Sequence, residues 1–252
     1  MFSMRLANAG HAAALFRAVA AVVDEATFRA TEESIGLVSM DPAHVSLVDF
    51  ELYREAAEEY RADGGAEITI DVREVLRFLK RARKDEALTL QYDGERRRLS
   101  IIIEDPTGSR VRSYQLNTLD MGREPLKTPS LNFKARAVVS TEALWEAVED
   151  AGLVADHLKV TIRPEGVVFR AEDDEGVAAE NVLPKESLTV YKIEAEGEAS
   201  AKYSYAYLER IVGAARGLSD TVAIELSPNM PIRLSFPIYA GRLQYLLAPM
   251  VD

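Results

Sequence analysis

The sequence predicts an α+β protein built from two similar domains, each carrying two helices on antiparallel sheets. Three observations predict it. Four segments show a helical period among many short apolar or alternating runs. Those runs follow one another with few helices between them, which favours antiparallel over parallel sheet. The order of elements also repeats after about 130 residues. At 252 residues and 48% hydrophobic, the chain can bury a sizeable core and suits one to two domains.

The first helix is expected from about His11 to Asp24, with Leu15, Phe16, Val19, Val22 and Val23 on its apolar side. Two strands follow, Gly36–Met40 within Ser34–Asp41 and Val45–Val48, then a third at Glu67–Ile70. The second helix is expected from about Asp71 to Lys84, burying Val72, Val75, Leu76, Leu79 and Ala82. Strands Leu88–Tyr92 and Leu99–Ile103 come next, with hairpin-type turns at Asp93-Gly94 and Pro106–Gly108.

Asn117 to Phe133 has no periodicity and contains Pro125 and Pro129, so it reads as a long connector, a kind of segment that is often functional. Beyond it, Ser140 or Thr141 opens a third helix to about Ala151 that buries Leu144, Val148 and Trp145. Strands Leu158–Ile162, Val167–Ala171 and Val177–Glu180 lead to a fourth helix, about Ser204 to Arg216, with Leu208, Ile211, Val212 and Ala215 inward and Gly217 at its C′ position. Thr221–Leu226 and Ile232–Phe236 are the last strands expected.

The repeat is visible in detail. Gly36 and Gly166 each stand two residues before a valine in a strand that is followed by a polar turn and a second strand. The reading is therefore an N-terminal domain over 1–116, a connector over 117–133 and a C-terminal domain over 134–252.

Charge and composition narrow the function. Thirty basic residues against 41 acidic ones make a net charge of -11, which by itself argues against wrapping a phosphate backbone. No cysteine is present, so disulfides, thiolate metal sites and thiol nucleophiles are excluded. His11, His44 and His157 lie far apart with no metal-binding spacing, and no phosphate-loop, dinucleotide or nucleophile-elbow motif occurs. No apolar run is long enough to span a membrane and no signal layout is seen, so a soluble intracellular protein is expected. The run Glu172-Asp173-Asp174-Glu175 could hold a divalent cation in a metal-dependent enzyme, but it reads more simply as a solvated turn.

The second helix contradicts the overall charge. Within 71–84 six basic residues stand against two acidic ones, a local balance of +4, so the rest of the chain sums to -15. On a helix, Arg73, Arg77, Lys80, Arg81 and Lys84 would share one sector of about 100° opposite the apolar side. An ordinary solvated face mixes signs; this one does not.

Met40-Asp-Pro-Ala-His-Val-Ser-Leu-Val48 resembles the strand–turn–strand of the archaeal and eukaryotic sliding clamps, the proliferating cell nuclear antigen (PCNA) family. Leu6, Asp24-Glu-Ala26, Ser113-Tyr114, Leu119-Asp120, Leu126, Pro129, Leu218-Ser-Asp-Thr-Val222 and Tyr245-Leu-Leu-Ala-Pro249 fall in register with it, across essentially the whole chain. The lack of cysteine looks archaeal. The resemblance implies the DNA clamp fold, assembled into a pseudo-six-fold trimeric ring around duplex DNA, with no catalysis, no cofactor, no metal and no membrane partner. It implies a cytoplasmic, nucleoid-associated processivity factor that tethers DNA polymerase, a clamp loader, flap endonuclease and DNA ligase through PIP-box peptides.

By the same resemblance, Arg17, Arg73, Arg77, Lys80, Arg81, Lys84, Arg110 and Arg210 face DNA. The first helix has Ala13, Ala14 and Ala20 where relatives often carry lysine, and Glu146 and Glu149 replace basic residues on the third, so a heterotrimer with sister subunits is an alternative to a homotrimer. A partner-peptide pocket is implied from Met40, His44, Val45, Leu47, Leu126, Thr128, Pro129, Phe133, Pro231 and Leu246, with Ser204, Ala248 and Pro249 receiving a glutamine. Subunits are expected to join edge to edge, Arg110, Arg112 and Tyr114 of one against Val177, Ala179 and Val182 of the next, with Arg110 or Arg112 opposite Glu172–Glu175.

Overall fold

The duplication read from the sequence is carried by every element. A computed structural model of the chain describes residues 1–120 and 126–250, so Pro125 of the expected connector lies outside the described residues. The first repeat runs β1 (Phe2–Leu6), α1 (Ala9–Ala20), β2 (Glu25–Ala30), β3 (Ser34–Met40), β4 (Ser46–Tyr53), β5 (Glu59–Ala62), β6 (Ala66–Asp71), α2 (Val72–Leu79), β7 (Ala87–Asp93), β8 (Arg98–Glu104) and β9 (Val111–Asn117). The second runs β10 (Ala135–Ser140), α3 (Thr141–Gly152), β11 (His157–Arg163), β12 (Gly166–Glu172), β13 (Ala178–Pro184), β14 (Val190–Ala195), β15 (Ala199–Ser204), α4 (Tyr205–Ala215), β16 (Thr221–Leu226), β17 (Ile232–Ile238) and β18 (Gly241–Leu247). Both read strand, helix, five strands, helix, three strands.

Strand order repeats too. The first repeat forms β5-β1-β7-β8-β9 and β4-β3-β2-β6, and the second forms β14-β10-β16-β17-β18 and β13-β12-β11-β15. The pairings resolved in register are antiparallel, for example Leu90 opposite Ile101 and Val168 opposite Val182. Two compact units result: residues 1–39, 48–128 and 238–243 in the first, 40–47, 129–237 and 244–252 in the second. Segments 40–47 and 238–243 thus leave their own repeat and join the other unit.

Alternation decides which side chains fill each core. In the first unit Phe2, Met4, Ile70, Leu79, Leu88, Ile101 and Ile103 are fully buried; in the second Leu144, Phe169, Tyr203 and Phe236 are. Tyr203 keeps its hydroxyl satisfied by donating to the Met230 carbonyl at 3.0 Å. The two repeat-related glycines, Gly36 and Gly166, lie where a Cβ would come within 2.6 Å of the Phe50 carbonyl oxygen and 2.5 Å of the Leu183 carbonyl oxygen. Only glycine lets the two strands approach so closely.

Helix boundaries differ from the periodicity. Helix α1 begins earlier, because Asn8 accepts the His11 amide at 2.7 Å and caps it, and it ends at Ala20 instead of Asp24. Asp24 is needed elsewhere: its carbonyl receives the Val72 amide, and Glu25 already pairs with Asp71 in a strand. Helix α2, capped by Asp71, stops at Leu79, five residues short of Lys84. There the Arg83 carbonyl receives the Gly10 amide at 3.0 Å and the Glu86 carboxylate takes the Arg83 amide at 2.8 Å, contacts that a continuing helix could not make. Ser140 caps α3 as expected, while Gly217 after α4 does not take the left-handed backbone a C′ glycine usually supplies. Trp145 is half-buried, with the Arg216 guanidinium 4.7 Å over its ring.

Candidate functional site

In the first unit the basic stretch divides in two. Arg73 and Arg77 project from α2, where Arg73 is paired with Asp24 and Arg77 with Glu74 at 2.9 Å. Lys80 is the cap, and Arg81 and Lys84 come after it, so they do not share one helical face as the sequence implied. Lys80, Arg81 and Lys84 are exposed and have no ion-pair partner among the described residues. Lys80 and Arg81 lie in the turn Leu79–Ala82 and Lys84 in the next, Arg83–Glu86, just past the C-terminal end of α2, where positive charge is favoured.

Beside that turn, α1 adds little charge. Burial, helped by the neighbouring Lys84 charge, holds the His11 imidazole below its ordinary pKa, so it stays neutral at pH 7. Ala13 is buried, so it cannot be a missing surface cation; Ala14 and Ala20 are half-buried, and Arg17 is exposed. Arg110 is exposed in the turn before β9.

Two residues expected at a subunit edge already serve their own unit. Arg112 lies 2.6 Å from Glu86, whose side chain is buried while that of Arg112 is half-buried. Burial pushes the Glu86 carboxyl up, but the Arg83 amide and the Arg112 guanidinium outweigh it and hold the group below the usual carboxylate range. The Tyr114 ring stacks on Phe78 of α2, 4.7 Å between centroids. The outer side of β9 remains open among the described residues, where β9 pairs with β8 alone.

The same unit contains a buried carboxylate that the sequence reading missed. Asp49, in an otherwise apolar stretch of β4, accepts from the Thr128 hydroxyl at 2.6 Å and from Arg242 at 3.0 Å. Its signal was a lone charge between Val48 and Phe50. Leu126 is exposed nearby in sequence.

In the second unit, the turn between β3 and β4 is built on Asp41. Its buried carboxylate accepts from the amides of Ala43, Val45 and Ser46 and from the Tyr207 hydroxyl at 3.0 Å. Burial raises its pKa, and these donors, led by Ser46 and Tyr207, overcome that and hold it low. The turn leaves His44 exposed at φ 59°, in the left-handed region, and Met40 and Val45 half-exposed; Leu47 is buried. The Val45 carbonyl receives the Ala248 amide at 2.9 Å, and the Lys202 carbonyl receives the Met250 amide at 2.8 Å. These bonds bring Ala248 and Pro249 beside the β3–β4 turn on one side and β15 on the other.

Of the other expected pocket residues, Pro129 is exposed, Ser204 and Pro231 are half-exposed, and Leu246 is buried. Phe133 lies under the Arg233 guanidinium at 4.7 Å. Ser204 precedes α4 without capping it through its side chain, so its hydroxyl is not committed to the helix end.

Helix α3 of this unit carries the opposite charge. Glu142, Glu146, Glu149 and Asp150 are exposed on α3, and Asp150 accepts from Asn181 at 2.9 Å. On α4, Arg210 is exposed, bonded to the Ala206 carbonyl and 4.6 Å over the Tyr207 ring. Among the described residues strand β13 is paired on one side only, with β12, and it presents exposed Val182 together with half-exposed Ala179; Val177, also exposed, precedes it. In the acidic run, Asp173 caps its own turn by accepting from Glu175 and Val177, and Glu172 pairs with Arg170 at 2.8 Å. No group of three acidic or histidine side chains suited to a metal occurs among the described residues.

Known proteins match this arrangement end to end. The sequence model described as proliferating cell nuclear antigen, N-terminal domain, matches residues 1–125, and the C-terminal domain model matches residues 127–250. A DNA polymerase sliding clamp of Cenarchaeum symbiosum is 30% identical over 253 residues, covering 100% of this chain and 99% of that protein. One from Pyrococcus horikoshii is 32% identical over 252 residues, with the same coverage. The crystal structure of PCNA from Thermococcus kodakaraensis superposes with a TM-score of 0.92 at 29% identity, covering 99% of this chain and all of that one.

Proposed function

Because the chain belongs to the proliferating cell nuclear antigen family of non-catalytic processivity factors, we propose that it works as a DNA polymerase sliding clamp: a ring that encircles duplex DNA and tethers enzymes to it. The observation that carries this reading is that β9 in one repeat and β13 in the other both lie at sheet edges, as β5, β6, β14 and β15 also do, and that β13 and the residues leading into it expose the apolar Val182 and Val177. An open edge is a liability that closed oligomerisation removes. Three copies joined β9 to β13 would form a trimeric ring, with Val177, Ala179 and Val182 facing Tyr114 and its neighbours, and with Arg110 toward the Glu172–Glu175 turn.

Inside such a ring Lys80, Arg81 and Lys84 contact phosphates, with Arg17, Arg73, Arg77, Arg110 and Arg210 as further cations. Contacts of this kind are salt-sensitive and read no bases. The acidic remainder of the surface keeps DNA from sticking outside the ring, since screening over about 8 Å at physiological salt lets the local charge act alone. Partner enzymes dock a PIP-box peptide on Met40, His44, Val45, Pro129, Phe133 and Pro231 with the connector residues Leu126 and Thr128, above Leu47 and Leu246. The peptide's glutamine is received by Ala248, Pro249 and Ser204. DNA polymerase, clamp loader, flap endonuclease and DNA ligase are the partners of this type.

The test is retention on nicked circular DNA. The purified chain should stay bound to the circle and leave when the circle is linearised; retention on the linear form overturns the topological tether. For the pocket, Leu126→Ala with Pro129→Ala should weaken a PIP-box peptide by more than about 1.4 kcal/mol, tenfold, in titration calorimetry. Unchanged affinity rejects the pocket. A second reading, a heterotrimer in which sister subunits supply the missing cations, is favoured by the exposed acids of α3.

A further inference from the structure

Asp49 is a buried carboxylate with partners on two other segments of the first unit. It is 5% exposed, and a carboxylate placed there is costly unless its oxygens are used. Its Oδ1 receives Nη2 and Nε of Arg242 at 3.0 and 3.3 Å. Arg242 also reaches Glu51 at 3.2 Å, and Glu51 in turn accepts from the Ser34 hydroxyl at 2.9 Å. This leaves Oδ2 for the Thr128 hydroxyl, at 2.6 Å a short charge-assisted bond across 79 residues of sequence. Strand β4 itself needs no charge at this position, because its neighbours Leu47, Val48 and Phe50 are all buried apolar residues. What the charge reaches is the connector. Thr128 directly precedes Pro129, whose ring confines it to extended backbone, so the bond grips a segment that is already stiff.

We propose that Asp49, oriented by Arg242, is a positioning residue that anchors the connector through Thr128 and so preorganises the Leu126–Pro129 wall for a partner peptide. The peptide half of this rests on the pocket reading above. A segment held in its bound shape loses less entropy when a ligand arrives, which raises affinity without any added contact.

The experiment uses the full chain with Thr128→Val, which removes only the donor, and Thr128→Ser, which keeps it. In hydrogen exchange without peptide, amides of residues 126–131 should exchange about tenfold faster in Thr128→Val, as expected for loss of a restraining bond, and return toward wild type in Thr128→Ser. A synthetic peptide carrying a glutamine, an aliphatic residue and two consecutive aromatics should bind Thr128→Val about fivefold more weakly. Unchanged exchange at 126–131 overturns the anchor. Faster exchange spread over the whole first unit would mean an ordinary stabilising contact and overturns the positioning role. If wild-type protein fails to bind the peptide at all, the pocket reading falls, while the peptide-free exchange still decides the anchor.

Discussion

The carbonyl oxygen of Leu183 occupies the place where a side chain on Gly166 would begin, and Gly36 meets the Phe50 carbonyl in the same way 130 residues earlier. The duplication is thus written into a steric requirement shared by both units. Backbone cannot move aside as a flexible side chain can. Gly166→Ala should therefore lower stability by about 1–3 kcal/mol, seen as an earlier thermal unfolding transition, and Gly36→Ala should do the same. A melting temperature equal to wild type for both variants would show that the strands can separate at no cost.

The Arg112–Glu86 pair makes a second prediction. Arg112→Met leaves the buried Glu86 carboxylate with only Arg83, 3.6 Å away, as its cation and should cost about 2 kcal/mol, while adding Glu86→Leu should restore part of it. The chemical denaturation midpoint reports both.

Acid sensitivity follows from the same carboxylate together with Asp41. Both are held below their ordinary pKa when folded, so their contribution is present above the unfolded value near 4 and is lost as pH falls through the lower folded values. In urea unfolding at stepped pH, Glu86→Gln should be weaker than wild type at pH 7, and the gap should close below pH 4. A gap that stays constant would remove Glu86 from the acid response.

Charge neutralisation tests the proposed phosphate contacts of Lys80, Arg81 and Lys84. Replacing Lys80, Arg81 and Lys84 with Gln should reduce the slope of log affinity against log salt by up to about 3 for a short duplex followed by fluorescence anisotropy. Glu146→Lys with Glu149→Lys should raise affinity. An unchanged slope in the triple variant would place the phosphate contacts elsewhere.

Ring closure through β13 is tested by Val182→Asp, an exposed edge position. Light scattering of the purified chain at micromolar concentration should give a trimer for wild type and a monomer of unchanged melting temperature for the variant. A stable wild-type monomer or dimer would favour the heterotrimeric arrangement.

Much of the fold was legible because burial imposes a period. Leu88–Tyr92, Leu99–Ile103 and Leu158–Ile162 alternate, or run apolar, and each became a strand. Strands β1, β2, β5, β9, β10, β14, β15 and β18 were not read from the period, β9 being implied by the family resemblance alone. Ala199–Ser204 and Glu59–Ala62, for instance, are too short or too polar to stand out, and are strands because a neighbour's open backbone groups demand a partner. The basic stretch 71–84 was legible as charge but not as shape, since the stop at Leu79 depends on Gly10 and Glu86.

The sequence by itself determined the duplicated α+β architecture and the concentration of positive charge in one short stretch, because periodicity, spacing and composition are local properties of the chain, and its motifs in register carried the resemblance to the family. Only the tertiary structure decided that Lys80, Arg81 and Lys84 lie past the end of α2, that Arg112 belongs to Glu86, and that Thr128 hangs on Asp49. Those outcomes depend on which distant donor meets a buried carboxylate. Desolvation makes that choice compulsory, yet it leaves no pattern along the sequence.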